Sequence, residues 1–122
     1  TGAANETGTG DAQGTKLNFP ILATPNARKE ILNAIGTHLP EAMATFKPEL
    51  VLVSCGFDAH ELDPLGSFNL TDDDFGTLTH AVMEMAHLYA DGRLVSVLEG
   101  GYNLQALATA SVAHVKMLQS AF

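Results

Sequence analysis

One cysteine and no tryptophan occur in this chain. A lone Cys55 excludes an internal disulfide framework, and it equally excludes a structural zinc held by several thiolates. Basic residues are scarce: six Lys and Arg face 14 Asp and Glu, for a formal net charge of −8. Binding nucleic acid or an anionic membrane requires clustered Lys and Arg, so neither partner is expected, whereas that charge favours a cationic substrate. Long apolar runs are missing too, and none approaches the roughly 20 residues that span a bilayer. The first 15 residues are polar and glycine-rich, unlike an export signal. A cytoplasmic protein is the expectation.

What is present is globular in kind. Over 122 residues, 46% are apolar and 16% charged, which suits one domain with a modest core. The chain opens on Thr-Gly-Ala-Ala-Asn-Glu without an initiator methionine. That start reads as the middle of a loop, so a fragment or cleaved product is expected.

Residues 1–15 read as loop, with glycines and no periodicity. Residues 16–22 alternate apolar and polar before Pro20 and predict a short strand. Residues 27–46 place Ile31, Ile35, Leu39, Met43 and Phe46 on one helical stripe, with a kink or break predicted at 37–39 before Pro40. Residues 50–54 form a nearly continuous apolar run, the pattern of a strand buried on both faces of a parallel sheet. A long aperiodic connection follows, to Leu70, and loops of that length in compact domains are usually functional.

Thr71 and Asp74 have capping-box spacing, and open a helix predicted to run to about Tyr89, with Phe75, Leu78, Val82, Met85 and Leu88 inward. Asp91-Gly92 stops it. Residues 93–98 predict a second buried strand. Asn103 can cap a final helix carrying Leu104, Leu107, Val112, Val115 and Leu118 and running to Phe122. The order over 16–122 is βαβαβα. That is an α/β chain with a parallel sheet and right-handed crossovers.

Chemistry concentrates where strands end, because ligands in open parallel sheets bind just beyond the carboxyl ends of strands. One strand ends in Gly56-Phe57-Asp58 and the other in Glu99-Gly100-Gly101-Tyr102; parallel strands bring both ends to one edge. Asp58 fits a loop-capping aspartate that accepts backbone N–H groups, or a hard oxygen ligand for a divalent metal, for which a single carboxylate is not enough. Tyr102 fits a phenol donating to a developing oxyanion, or a tyrosine packed under a loop. His60 is positioned for loop packing or hydrogen bonding near Asp58, or as a ligand. His80 and His87 read as surface residues, and His38 and His114 show no partner in the sequence. Cys55 reads as a small core hydrophobe. Gly8-Thr9-Gly10 neither follows a strand nor opens a helix, so it fails as a dinucleotide loop.

Residues 54–60 (Ser-Cys-Gly-Phe-Asp-Ala-His), then Asp63-Pro64-Leu65-Gly66, Leu70-Thr71 and Val97-Leu98-Glu99-Gly100-Gly101-Tyr102-Asn103, together resemble the late segment of the zinc-dependent histone deacetylases. The likeness is to the class II type and its bacterial relatives, the acetoin-utilisation and acetylpolyamine amidohydrolase proteins. Thr1-Gly2, Glu6-Thr7-Gly8 and Leu17-Asn18-Phe19-Pro20 resemble the loop and strand leading in. The resemblance covers nearly the whole chain. It implies part of an arginase/deacetylase-like domain, a three-layer αβα parallel sheet.

The same resemblance implies site roles. Asp58 falls at an aspartate ligand to catalytic zinc. Tyr102 falls at the tyrosine that polarises the acetyl carbonyl. Gly100 and Gly101 fall at the glycine turn of the acyl-lysine tunnel, and Leu65 falls at an apolar wall of it. Cys55 stands where class II relatives often have alanine. The implied substrate is acetylated lysine or an acetylpolyamine. The other aspartate ligand, the histidine ligand, the paired active-site histidines and the aromatic tunnel walls belong to upstream segments of the family. The chain alone is therefore expected to be nearly inactive, with Asp58 empty of zinc or weakly occupied. It is also expected to pair with the missing N-terminal part or to self-associate through an exposed sheet edge. A non-catalytic truncated module acting through that edge is the alternative. The arginase relatives, which use two manganese ions, fit worse, because His60 stands where a second aspartate would be needed.

Overall fold

A computed structural model describes residues 2–120. Helix α1 (Ala27–Asn33) continues through a π-helical turn (Ala34–His38) into α2 (Leu39–Phe46); strand β1 (Val51–Cys55), helix α3 (Asp72–Ala90), strand β2 (Leu94–Leu98) and helix α4 (Leu104–Leu118) follow. The two strands pair in parallel, in the register Val51↔Leu94 to Cys55↔Leu98, with α3 as the crossover. The predicted α/β alternation is present from residue 27 onward.

Local chemistry explains the boundaries. Pro40 has no N–H to donate, and a proline ring in a helix interior clashes with the preceding turn. The chain responds by widening: the Leu39 N–H bonds to the carbonyl of Ala34, five residues back. The predicted break is thus a π turn. At the start of α3 the Asp74 carboxylate accepts from both the Thr71 N–H (2.8 Å) and the Thr71 hydroxyl (2.9 Å). Arg28 of α1 clamps the same carboxylate through Nε at 2.7 Å and Nη2 at 2.9 Å. Asp91 adopts a left-handed conformation (φ 49°) and ends α3, as expected of Asp91-Gly92. Asn103 Oδ1 accepts from Ala106 N–H and opens α4.

The helices cover one sheet face. Val51, Val53 and Leu94 pack with Met43, Val82, Ala86 and Ala90. Phe57, Leu70, Phe75 and Ala110 form the second core cluster with Ile31, Cys55, Leu78 and Leu107. α4 buries Ala106, Ala110 and His114.

Three expectations change. Residues 16–22 form no strand; the Lys16 N–H and the Gly14 N–H both bond to Thr7, and Asn18 is tied to the carbonyls of Ala3 and Glu6. Those local bonds take up the Lys16 N–H and the Asn18 amide in place of a strand ladder. The strands are not buried on both faces: Leu52 is 70% and Val97 57% exposed, and the described residues supply helices to the opposite face only. Several predicted inward residues are exposed, namely Phe46, Leu88, Leu104, Val112 and Val115, because helical spacing marks an apolar side chain without saying whether this chain covers it. The expected end of the last helix at Phe122 lies outside the described residues.

Candidate active site

Both strands stop level with one another, and pairing carries past their ends. The Glu99 N–H donates to the Cys55 carbonyl (3.1 Å), and the Phe57 N–H donates to the Gly100 carbonyl (2.8 Å). This brings the two strand-end motifs into contact, as the parallel order requires. The Asp58 carboxylate lies against both glycines. A Cβ on Gly100 would stand 2.7 Å from its Cγ and from its Oδ2, and a Cβ on Gly56 would stand 2.8 Å from its Oδ1. Close approach, rather than backbone freedom, is why glycine is needed at these two positions.

Asp58 is partly buried, yet no backbone amide caps it, and its carboxylate has neither a hydrogen bond nor an ion pair among the described residues. The loop-capping reading of Asp58 therefore fails. Its oxygens remain available to a cation.

The capping role belongs to Asp63, to which the sequence reading assigned nothing. Its Oδ1 accepts from the N–H groups of Leu65 (2.8 Å) and Gly66 (3.0 Å), and its Oδ2 accepts from the Tyr102 N–H (2.7 Å). The residue is 7% exposed. Burial pushes its carboxyl up, but the N–H groups of Tyr102, Leu65, Gly66 and Asn103 outweigh it and hold the pKa below the usual carboxylate value. Half of this was readable: Asp before Pro, with backbone donors two and three residues on, is a turn-forming pattern. The other half spans 39 residues, which no local signal reveals.

Tyr102 sits on the turn that Asp63 holds, and its side chain is 57% exposed. Gly101 has φ 135°, and a Cβ there would press on Leu107 Cδ1 at 2.9 Å. Leu65, whose N–H bonds to the other oxygen of Asp63, is 73% exposed. Gly66 lies on the Asp58 backbone so tightly that a Cβ would fall 1.6 Å from its carbonyl oxygen. Asp58, Leu65, Gly100, Gly101 and Tyr102 are thus linked through shared contacts at one end of the sheet.

The histidines divide. His60 is buried; its Nδ1 accepts the Leu62 N–H (3.1 Å), which leaves the Nε2 proton to face Asp72 Oδ1 at 3.2 Å, and its ring stacks on Phe75. It packs the loop. His114, for which the sequence showed no partner, is buried in a polar chain. The Thr79 hydroxyl donates to the Phe75 carbonyl, so its oxygen accepts the His114 Nδ1 proton (2.7 Å), while Nε2 accepts from Ser96 (2.9 Å). Burial pushes the His114 pKa down. Burial also pushes the Cys55 thiol up. That suits an inert core thiol. His38 pairs with Asn33 and stacks on Phe19.

The model of the histone deacetylase domain matches residues 1–118. The chain belongs to the histone deacetylase family. It is 42% identical over 123 residues to human histone deacetylase 9, covering 97% of this chain and 12% of that protein. It is 36% identical over 112 residues to type-2 histone deacetylase 1 of Dictyostelium discoideum, covering 92% of this chain and 7% of that one. The HD domain of HDA15 superposes with a TM-score of 0.82 at 31% identity, over 97% of this chain and 32% of that structure. The histone deacetylase Clr3 gives 0.81 at 35% identity, over 96% and 19%. The chain therefore has the arginase/deacetylase fold of these domains in part, and it spans well under a third of the length of both curated relatives.

Proposed function

We propose that these residues form one wall of a zinc-dependent deacetylase site, with Asp58 as a metal ligand and Tyr102 as the electrophilic phenol. The observation that carries the reading is the Asp58 carboxylate: set between Gly56 and Gly100, free of partners among the described residues, and adjoining the turn that bears Tyr102. An oxygen ligand of this kind suits zinc, which takes about three protein ligands at catalytic sites. Among the described residues no group of three His, Cys, Asp or Glu converges, so the fit is that of one ligand, with its companions supplied by other segments. Zinc, when bound, supplies a Lewis acid that polarises the amide carbonyl and acidifies water.

This chain's own residues would do the rest. Tyr102 would donate a hydrogen bond to the amide oxygen, most strongly as negative charge develops there. Gly100 and Gly101 would leave the acyl chain room, and Leu65 would exclude water from its stem. The substrate would be an acetylated lysine, whose own side chain is neutral, or an acetylpolyamine, whose remaining amines keep the positive charge that a net charge of −8 favours. The test is zinc content and turnover of a fluorogenic acetyl-lysine substrate, for this chain alone and for a catalytic domain containing it. Activity is expected only in the latter. Stoichiometric zinc with full turnover by the chain alone would overturn the missing-ligand reading.

A second reading rests on the uncovered sheet face. Leu52, Val95 and Val97 are exposed together, and a non-catalytic module could bury them against a second copy. Sedimentation as a stable monomer would count against it.

A further inference from the structure

We infer that Asp63 is a positioning residue for Tyr102, one carboxylate that holds the phenol-bearing turn and the Leu65 loop at a fixed separation. The inference rests on the catalytic reading of Tyr102 and adds what sets the location of its phenol. The Tyr102 hydroxyl makes no hydrogen bond among the described residues, and the side chain is largely exposed. Its position is therefore dictated by its backbone. That backbone follows Gly101 at φ 135° and belongs to no helix or strand. The Asp63 Oδ2 bond to the Tyr102 N–H, at 2.7 Å, is what anchors it.

The other oxygen fixes the opposite side. Oδ1 takes the Leu65 and Gly66 N–H groups, and Gly66 in turn lies on the Asp58 carbonyl. A parallel strap, Asn103 Nδ2 to the Leu62 carbonyl at 3.0 Å, joins the same two segments. Ligand, wall and phenol thus share one buried carboxylate. A carboxylate suits this place because it accepts at both oxygens, whereas an amide of the same shape accepts at one and presents N–H on the other. D63N would therefore keep the size and, with its one acceptor retained by the Leu65 and Gly66 N–H groups, release the Tyr102 turn. A misplacement of about 1 Å in a reacting group costs on the order of 100-fold in rate.

The experiment is a double-mutant cycle in the zinc-loaded catalytic domain containing these residues, with an acetyl-lysine peptide as substrate. D63N is expected to lower kcat by about 100-fold. In a Tyr102→Phe background the same change is expected to cost less than about threefold, because the group it positions is gone. Equal losses in both backgrounds, or an unchanged kcat, overturn the inference.

Hydrogen exchange separates this failure from failure of the catalytic reading. Where Tyr102→Phe alone keeps full kcat, the catalytic reading falls and the positioning role with it, while the clamp itself is still measured by exchange of the Tyr102 amide. That amide is expected to be protected in the wild type and to exchange about tenfold faster or more in D63N. Should D63N not fold, the wild type decides: free-peptide exchange at the Tyr102 amide overturns the clamp.

Discussion

Asp58 and Asp63 lie five residues apart on one loop and share a chemical group, yet they meet opposite environments. Asp63 is buried with both oxygens taken up by backbone N–H groups from two segments. Asp58 is partly buried, cradled by two glycines, and takes up none. The first carboxylate is consumed in holding the loop. The second is left available by that holding. An aspartate's function is read here from what its oxygens lack as much as from its location.

The strongest way to break the contrast is to remove what the open carboxylate serves. In a zinc-loaded catalytic domain, Asp58→Asn is expected to cut deacetylation by more than about 100-fold with loss of bound zinc, since even residues that merely orient metal ligands cost 10–100-fold. Tyr102→Phe is expected to lower kcat by about 100- to 1,000-fold with zinc retained. Metal analysis beside steady-state kinetics checks both.

Gly100→Ala should act first on Asp58, because its Cβ would stand 2.7 Å from the Asp58 Oδ2. Zinc affinity is expected to fall while thermal unfolding shifts modestly. Gly66→Ala instead strikes the Asp58 backbone and the Asp63 turn together. Its expected cost is at the upper end of, or beyond, the roughly 1–3 kcal/mol of overpacking, read by denaturant unfolding.

Acid sharpens the comparison from the other side. The Asp63 and Asp74 pKa values are held below their ordinary ones in the folded chain. Such groups contribute stability that is complete above the unfolded carboxylate value of about 3.9 and is lost as pH falls through the folded values. His114, lowered by burial, adds a loss that begins below its unfolded value of about 6.5. Stability is expected to decline gently below pH 6.5 and steeply below about pH 4, as followed by circular dichroism. The smallest effect is expected of Leu65→Ser. At an exposed position it should change stability by less than about 0.5 kcal/mol, while raising KM for the acyl substrate.

The strand ends were legible because an apolar run stopped by glycine is a local signal, and so were the Thr71–Asp74 and Asn103 caps. Asp58 and Tyr102 followed from parallel topology, which brings distant strand ends to one edge. Asp63 and His114 escaped because their deciding partners are far off in sequence: Tyr102 for the first, Thr79 and Ser96 for the second. Residues 16–22 have strand-like alternation, but the Lys16 N–H bonds to Thr7 and the Asn18 side chain to Ala3 and Glu6. Leu52 and Leu88 show the remaining gap, since an apolar residue announces a preference for burial and not the presence of a cover.

The π turn at Ala34–His38 has a consequence for geometry downstream. An α-helix advances about 100° per residue, so one residue added to a turn rotates everything after it by that angle. Ile31 lies in the cluster of Phe57, under the strand-end loop, while Met43 lies in the cluster of Val51, at the start of the strand. The widened turn works as a phase shifter: Ile31 and Met43, about 120° apart around a regular helix at their spacing, are brought back toward one face, and the rise along the segment sets them at opposite ends of the same strand. Deleting one residue there would leave both halves helical and misdirect the second.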